Sequence, residues 1–407
     1  MNIWITYLII AAILVIAELI YFRIADKCDI IDRPNERSSH STIVLSGGGI
    51  IFAISMIVWF LWQMVQGEQG VQDVQGVQKV QGVEEYLPFV LGLVLIAGVS
   101  FWDDIHSLPD NVRLVAQFVA TGLMFWSVFG FQDSWFMVQD WYWQMAIIIV
   151  ALIVCVGATN IINFMDGING ITAGYALSVL VPLALLDSSF KFQVPGVPGG
   201  QGFNSSIVQG VQEVQGFNSS MVQWFNSSIV QGGQGLQGFI EPSYLMVVII
   251  GVLVFSWFNF RPKGKAKCFA GDVGSVGIAY ILLFAIGRLI VKTGDVTWLI
   301  FLLVYGVDGV LTILHRIMLH ENLGEAHRKH AYQIMANELK MGHVTVTLIY
   351  MGLQLAISLG FIYLCPNAVT AHWIYMIGAI VLLAIAYLLF MKKYYHLHEE
   401  YLAALRK

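Results

Sequence analysis

The sequence predicts an all-α polytopic membrane protein of about eleven transmembrane helices, on three observations. Of its 407 residues, 57% are hydrophobic and only 12% charged, where a soluble domain carries about 25% charged residues; mean hydropathy is +0.73. Apolar runs recur at 3–22, 44–65, 86–102, 114–131, 143–158, 171–186, 244–260, 273–291, 296–313, 344–364 and 373–391. Each is near the ~20 residues that cross a bilayer, the third, fifth, sixth and seventh being short. With the segment after the first run placed in the cytoplasm and sides alternating, only Lys79, Lys191, Arg288 and Lys292 of the 21 Lys and Arg fall outside. That bias is the positive-inside pattern, and it puts the N-terminus out and the C-terminus in the cytoplasm.

The first run reads as a retained anchor, since nothing basic precedes it and Arg23 and Lys27 follow it. Cys28, Cys155, Cys268 and Cys365 are too scattered for a disulfide framework or a zinc site. The composition leads to a lipid bilayer as partner and no nucleic acid is expected; the net charge of -5 matters less than where the basic residues lie.

The first cytoplasmic segment runs Asp32-Arg33-Pro34-Asn35-Glu36-Arg37-Ser38-Ser39-His40 and leads to Gly47-Gly48-Gly49. Basic residues beside a triple glycine suit an anionic ligand at a helix start. Ordinary positive-inside charge explains the same residues.

Residues 66–82 and 187–242 read as low-complexity insertions in non-cytoplasmic loops of a single 1–407 membrane domain. The first repeats Val-Gln-Gly; the second carries Phe203-Asn204-Ser205-Ser206, Phe217-Asn218-Ser219-Ser220 and Phe225-Asn226-Ser227-Ser228. Gly, Gln, Ser and Asn with little bulk have no obvious way to bury a core, so no catalytic part is expected of them.

The third run ends in Trp102-Asp103-Asp104-Ile105-His106, with Arg113 following. Adjacent carboxylates at a membrane edge are costly unless paired or holding a cation, and one of the two is pushed toward a general base. An acidic turn ending a helix is the simpler reading.

Thr159-Asn160-Ile161-Ile162-Asn163-Phe164-Met165-Asp166-Gly167-Ile168-Asn169-Gly170 lies between two apolar runs. Irregular backbone is excluded from lipid, so this stretch must line an aqueous mouth or be enclosed by protein. Its amides and carboxylate offer a polar ring and hard oxygens for a cation such as magnesium.

After the seventh run, Arg261, Lys263, Lys265 and Lys267 precede Phe269-Ala270-Gly271-Asp272-Val273-Gly274-Ser275. Asp272 stands at a helix start among small residues, where a phosphate or metal can come close; Phe269 could stack on a nucleobase, although an aromatic of the interfacial belt is the safer reading of that ring alone. The last long cytoplasmic segment holds His327-Arg328-Lys329-His330, donors able to surround a diphosphate; a solvated interfacial helix is the plainer alternative. All these clusters fall on one side of the membrane, which points to one cytoplasmic active site.

Taken together, the loops resemble the polyprenyl-phosphate N-acetylhexosaminyl-1-phosphate transferase family, glycosyl transferase family 4. The marks are Asp32-Arg33-Pro34-Asn35 with the triple glycine, Asp103-Asp104 with Leu108 and Arg113, Asn160-x-x-Asn163-x-x-Asp166-Gly167-x-Asn169-Gly170, Phe269-x-Gly271-Asp272-x-Gly274-Ser275, and His327-Arg328-Lys329-His330. The resemblance covers nearly the whole chain outside the repeats. It implies an enzyme that transfers a sugar 1-phosphate from a UDP-sugar to undecaprenyl phosphate, releasing UMP, at the bacterial inner membrane with its site facing the cytoplasm. It implies magnesium, with manganese as a substitute, held by Asp272 and Asn163. Asp103, Asp104 and Asp166 take catalytic positions, one of the pair at 103–104 deprotonating or orienting the lipid phosphate and Arg113 holding it. Asn160, Asn169, Phe269, His327, Arg328 and His330 match positions that bind the donor; a homodimer is compatible.

Two departures bear on the donor. Many bacterial members have an acidic residue where this chain has Asn169, and wall-building members carry consecutive histidines where this one has His327-Arg328-Lys329-His330. Both argue against a phospho-MurNAc-pentapeptide donor and for GlcNAc 1-phosphate or a related amino sugar, starting a surface polysaccharide. A transporter is the rival from another class, but it would place its ionisable residues near the midplane and in two related halves.

Overall fold

The computed structural model describes residues 3–32, 43–71, 83–129, 140–186, 239–322 and 327–405. Arg33, Arg37, His40, residues 72–82 of the first repeat insertion and residues 187–238 of the second lie outside the described residues, while 66–71 continue α2. Among the described residues the chain forms twelve α-helices. They are α1 (Ile3–Lys27), α2 (Ile50–Val71), α3 (Leu87–Ile105), α4 (Asp110–Phe129), α5 (Trp141–Phe164), α6 (Ile171–Leu186), α7 (Pro242–Asn259), α8 (Gly271–Thr293), α9 (Leu303–Met318), α10 (Ala331–Asn337), α11 (His343–Leu364) and α12 (Val369–Leu405). Among the described residues nine helical segments are long and apolar enough to cross a membrane, and shorter apolar helices occupy α2 and α6. These account for all eleven apolar runs.

The bundle is built around α8, which is apolar on every face and almost wholly buried, as a helix enclosed by other helices must be. It packs on α2, α3, α4, α5 and α6. Its C-terminus closes with Gly294 at φ 70°, the left-handed cap that glycine accepts without a Cβ penalty. Outside this centre, α7 lies against α1, α2 and α6, α11 covers α6, and α12 leans on α9 and α10.

At the end of the bundle away from the polar loops, Arg288 of α8 ties several segments together. It donates to the carbonyls of Phe239 (3.2 Å) and Ser127 (3.3 Å), pairs with Glu85 (3.5 Å) and lies over the Tyr86 ring. Tyr86 in turn accepts the amide of Glu241 through its hydroxyl, and Ser243 takes donors from Trp59 and Gln63. Phe239 and Ile240 are buried in the core, so the chain on the far side of the second insertion rejoins the fold before α7 starts.

Several helices run further than the apolar pattern implied, α5 and α12 among them. α5 continues through Thr159, Asn160 and Asn163 to Phe164, so only residues 165–170 form the turn. Its polar side chains satisfy their own helix: Thr159 donates to the Cys155 carbonyl and Asn160 to that of Val156, which removes the reason for the backbone to unwind. α12 runs on to Leu405 because its last turns dock on α10, where His398 Nδ1 lies 3.0 Å from Glu338.

Candidate active site

The described parts of the five polar segments gather at one end of the bundle, and the start of α8 is their floor. A two-residue antiparallel ladder pairs Ile31–Asp32 with Val44–Leu45, and Leu45 bridges on to Cys268. From there the triple glycine lies against the approach to α8. The Leu45 carbonyl accepts from Phe269 N, Gly48 N donates to Phe269 O at 2.8 Å, and Gly49 N to Ala270 O at 3.0 Å. A Cβ on Gly49 would run into the Cα of Gly274. The glycines therefore serve a backbone-to-backbone contact, the kind that draws helices together in lipid. Two of their three amides are engaged by protein, which is not the open anion cradle the sequence suggested.

Asp104 completes this floor from α3. Its Oδ1 accepts Asp272 N at 2.9 Å and its Oδ2 accepts Val273 N at 3.0 Å. The first amides of a helix have no partner within it, and a carboxylate there also meets the positive end of the helix dipole. Gly271, at φ 70°, leaves room for the cap: a Cβ there would sit 2.7 Å from Asp104 Oδ2.

At the mouth, Arg113 of α4 bridges two carboxylates. Its Nε lies 3.2 Å from Asp103 and its terminal nitrogen 3.5 Å from Asp272. Asp103 also accepts the Leu108 amide at 2.6 Å. Asp272 is the open member, with 31% of its side chain exposed against 8% for Asp103. Asn163 meets the same helix start, its Oδ1 accepting Ser275 Oγ at 2.6 Å. Asn160 faces α4 instead and pairs with Gln117, donating to its Oε1 at 2.8 Å.

The turn at 165–170 forms the next wall. Asp166 accepts Thr172 Oγ1 at 2.5 Å. Burial pushes its pKa up to about 7, with the charges of Asp272 and Asp32 adding to the effect and the Thr172 bond opposing it. Gly167 leaves space for the Tyr332 hydroxyl, which donates to Phe164 O. Asn169 is buried and ties loops together: its amide donates to the carbonyls of Arg261 (2.9 Å) and Pro262 (3.0 Å). Gly170, at φ 85°, donates to Asn259 Oδ1 at 2.7 Å. Phe269 is half-buried, its backbone fixed by Leu45 and Gly48.

The basic segment closes the site from the α9–α12 side. His327 lies beside Phe164, 6.2 Å between rings, and its Nδ1 is 3.0 Å from Arg316. Burial and the neighbouring charges of His330, Arg316 and Lys329 push its pKa down to about 3. Arg328 is turned toward α10 and α12: it donates to Glu338 at 3.0 Å and stacks over Tyr401 at 4.3 Å. Lys329 pairs with Glu321. His330 is buried, with Nδ1 3.3 Å from Asp308 of α9. Asp308, Glu321 and Glu338 were not singled out from the sequence. For Asp308 the signal was present, since a carboxylate inside an apolar run is a functional-site candidate by default.

Asp272, Asn163, Asp103 and Asp166 thus assemble hard oxygens at one mouth, with Arg113 between two of them. No group of three His, Cys, Asp or Glu side chains placed to hold a metal occurs among the described residues. A partly exposed carboxylate and an amide oxygen are protein ligands of the hard-oxygen type that a divalent cation such as magnesium takes, beside oxygens from phosphate and water. The arrangement can hold a cation and anionic groups together against α8.

A family model described as glycosyl transferase family 4 matches residues 86–290. A Bacillus subtilis (strain 168) protein named "Probable undecaprenyl-phosphate N-acetylglucosaminyl 1-phosphate transferase" is 24% identical over 354 residues, covering 84% of this chain and 77% of that protein. The matched stretch includes the Asp103–Arg113, Asn160–Gly170 and Phe269–Ser275 clusters; the segment from His327 to His330 lies beyond it.

Proposed function

Given that the chain belongs to glycosyl transferase family 4, we propose that it transfers a sugar 1-phosphate from a UDP-sugar to undecaprenyl phosphate, releasing UMP, and so starts a lipid-linked surface polysaccharide. The observation that carries this is the half-buried Asp272 carboxylate, set at the start of the central helix and bridged through Arg113 to Asp103. The name of the Bacillus subtilis relative supports the polyprenyl acceptor and an N-acetylglucosamine group. Asn169 and the His327–His330 segment favour such an amino sugar over a muramyl-pentapeptide. The charge bias of the loops supports a cytoplasmic site in a bacterial plasma membrane, with the N-terminus outside.

An oxygen of the lipid phosphate attacks the β-phosphorus of the donor. The bond from that phosphorus to the bridging oxygen breaks, and UMP leaves with that oxygen. Such transfers depend on positioning and on neutralising charge more than on covalent help from the protein. Magnesium or manganese, held by Asp272 with Asn163, would offset the negative charge where two phosphates meet. Arg113 holds the lipid phosphate, and Asp103 orients it and takes its proton. Asp104, with both oxygens on the α8 amides, fixes the helix start. Asp166 and Phe269 line the nucleotide side, with Asn160 and Asn169 setting the wall behind them. His327 and His330 meet the diphosphate, and Arg328 anchors their segment. The acceptor's lipid tail accounts for an enzyme built within a bilayer.

The test is UMP release by purified protein with undecaprenyl phosphate, magnesium and a panel of UDP-sugars, run beside Asp272→Ala. Lipid- and magnesium-dependent UMP from one donor, lost in the variant, is the expected result. Folded protein that releases none from any donor overturns the reading.

A further inference from the structure

Asp308 sits in the middle of α9, and four donors converge on its carboxylate. Tyr350 donates to Oδ2 at 2.6 Å; Ala331 N at 3.2 Å, Thr312 Oγ1 at 3.1 Å and His330 Nδ1 at 3.3 Å all address Oδ1. Both Asp308 and His330 are buried. The carboxylate therefore joins α9, α10 and α11 at the point where the basic segment turns into α10.

Among the described residues the far side of the same ring has no such partner. His330 Nε2 is buried and makes no hydrogen bond among the described residues, and His327 Nε2 is in the same condition. The two rings lie 5.0 Å apart. Leaving a buried ring nitrogen unpaired is costly, and two neighbouring ones call for a shared partner. On His327, Nδ1 faces the Arg316 guanidinium and must accept, so its proton is on Nε2. On His330, Nδ1 faces a carboxylate and must donate, which leaves Nε2 as the other working atom.

We propose that Asp308 is a positioning residue for the transfer: it fixes the orientation and tautomer of His330, so that Nε2 stands beside His327 Nε2 as half of a paired site for the donor's phosphate oxygens. A ring that donates from Nε2 to a phosphate oxygen as well as from Nδ1 to Asp308 carries positive charge, which the carboxylate offsets. The logic is that of a carboxylate orienting an imidazole from behind. This rests on the function proposed above, because the paired site is given its diphosphate by that reading.

The test is a double-mutant cycle on UMP release, with kcat and KM measured for wild type, Asp308→Asn, His330→Gln and the double variant, and with Tm for each. Asp308→Asn should lower kcat/KM about 10- to 100-fold, the usual loss for removing an outer partner of a working histidine. In the His330→Gln background the same change should cost less than about 3-fold, because the ring it orients is gone. Tyr350→Phe controls for packing. It removes the shortest hydrogen bond to the same carboxylate while leaving the charge beside His330, and should keep kcat within about twofold whatever its effect on Tm. Additive losses, or a Tyr350→Phe loss as large as that of Asp308→Asn, overturn the role of Asp308 and leave the transferase reading standing. Wild-type protein without UMP release overturns both.

Discussion

Asp104 reaches from α3 to accept the backbone amides of Asp272 and Val273, at 2.9 and 3.0 Å, so one carboxylate holds in place the helix start that presents another. Its neighbour Asp103 points to Arg113 instead. Two adjacent residues of the same chemistry therefore have different work, one inside the fold and one at the mouth.

Asp104→Ala should lower stability by about 0.5–2 kcal/mol, the usual cost of losing a helix N-terminal cap. Asp103→Asn should leave Tm nearly unchanged and reduce UMP release at least tenfold. Thermal melts and turnover on the two variants separate the roles; equal losses of both kinds in both variants would contradict the division.

Arg113 contacts Asp103 and Asp272 through different nitrogens of one planar group. Lysine carries the charge but only one nitrogen, and cannot span both. Arg113→Lys should therefore reduce turnover at least tenfold, with a raised KM for the lipid phosphate. A variant as active as wild type would show that charge alone suffices.

Asp166 gives a pH signature. Its pKa is about 7 in the folded protein and about 3.9 unfolded. Between those values the folded state holds the proton and the unfolded state does not, so this group lowers stability as pH rises, and the penalty is complete above about 7. Asp166→Asn removes it. Its Tm advantage over wild type should grow from pH 4 to 7 and then level off; a constant difference across that range would count against a raised pKa.

The flanks of the second insertion are well held. Leu186 on one side and Phe239 and Ile240 on the other are buried, and Arg288 accounts for the Phe239 carbonyl. Replacing residues 187–238 with a Gly/Ser linker of about 12 residues shortens the loop and slightly lowers its closure cost. UMP release should stay within about twofold of wild type, and a larger loss would assign the repeats a part in catalysis.

The membrane architecture and the gathering of the loops were legible because they depend on patterns local in sequence: apolar length, basic bias, and clusters of Asp and Asn at run ends. What was not legible depends on partners far apart in the chain. Asp103 and Asp104 look equivalent until the α8 amides, 168 residues on, engage one of them. Arg328 reads as a phosphate donor until Glu338 and Tyr401 take it up. The triple glycine reads as an anion cradle until Phe269 and Ala270 supply its acceptors. Asn160 and Thr159 read as loop because the acceptors that keep them helical are their own backbone carbonyls.

The contact between Gly49 and the start of α8 also sets an order of assembly. Gly47–Gly49 and Asp104 leave the ribosome well before Gly271 and Asp272, so the receptor for the central helix is made first and α8 enters it later. The second insertion falls between the two. A chain divided within residues 187–238 would put the receptor on one fragment and Asp272 on the other, with every contact described at the α8 start available across the break. Co-expressed fragments should therefore copurify and restore UMP release, while either one alone should give none; fragments that never associate would mean that an unbroken chain is needed to seat α8.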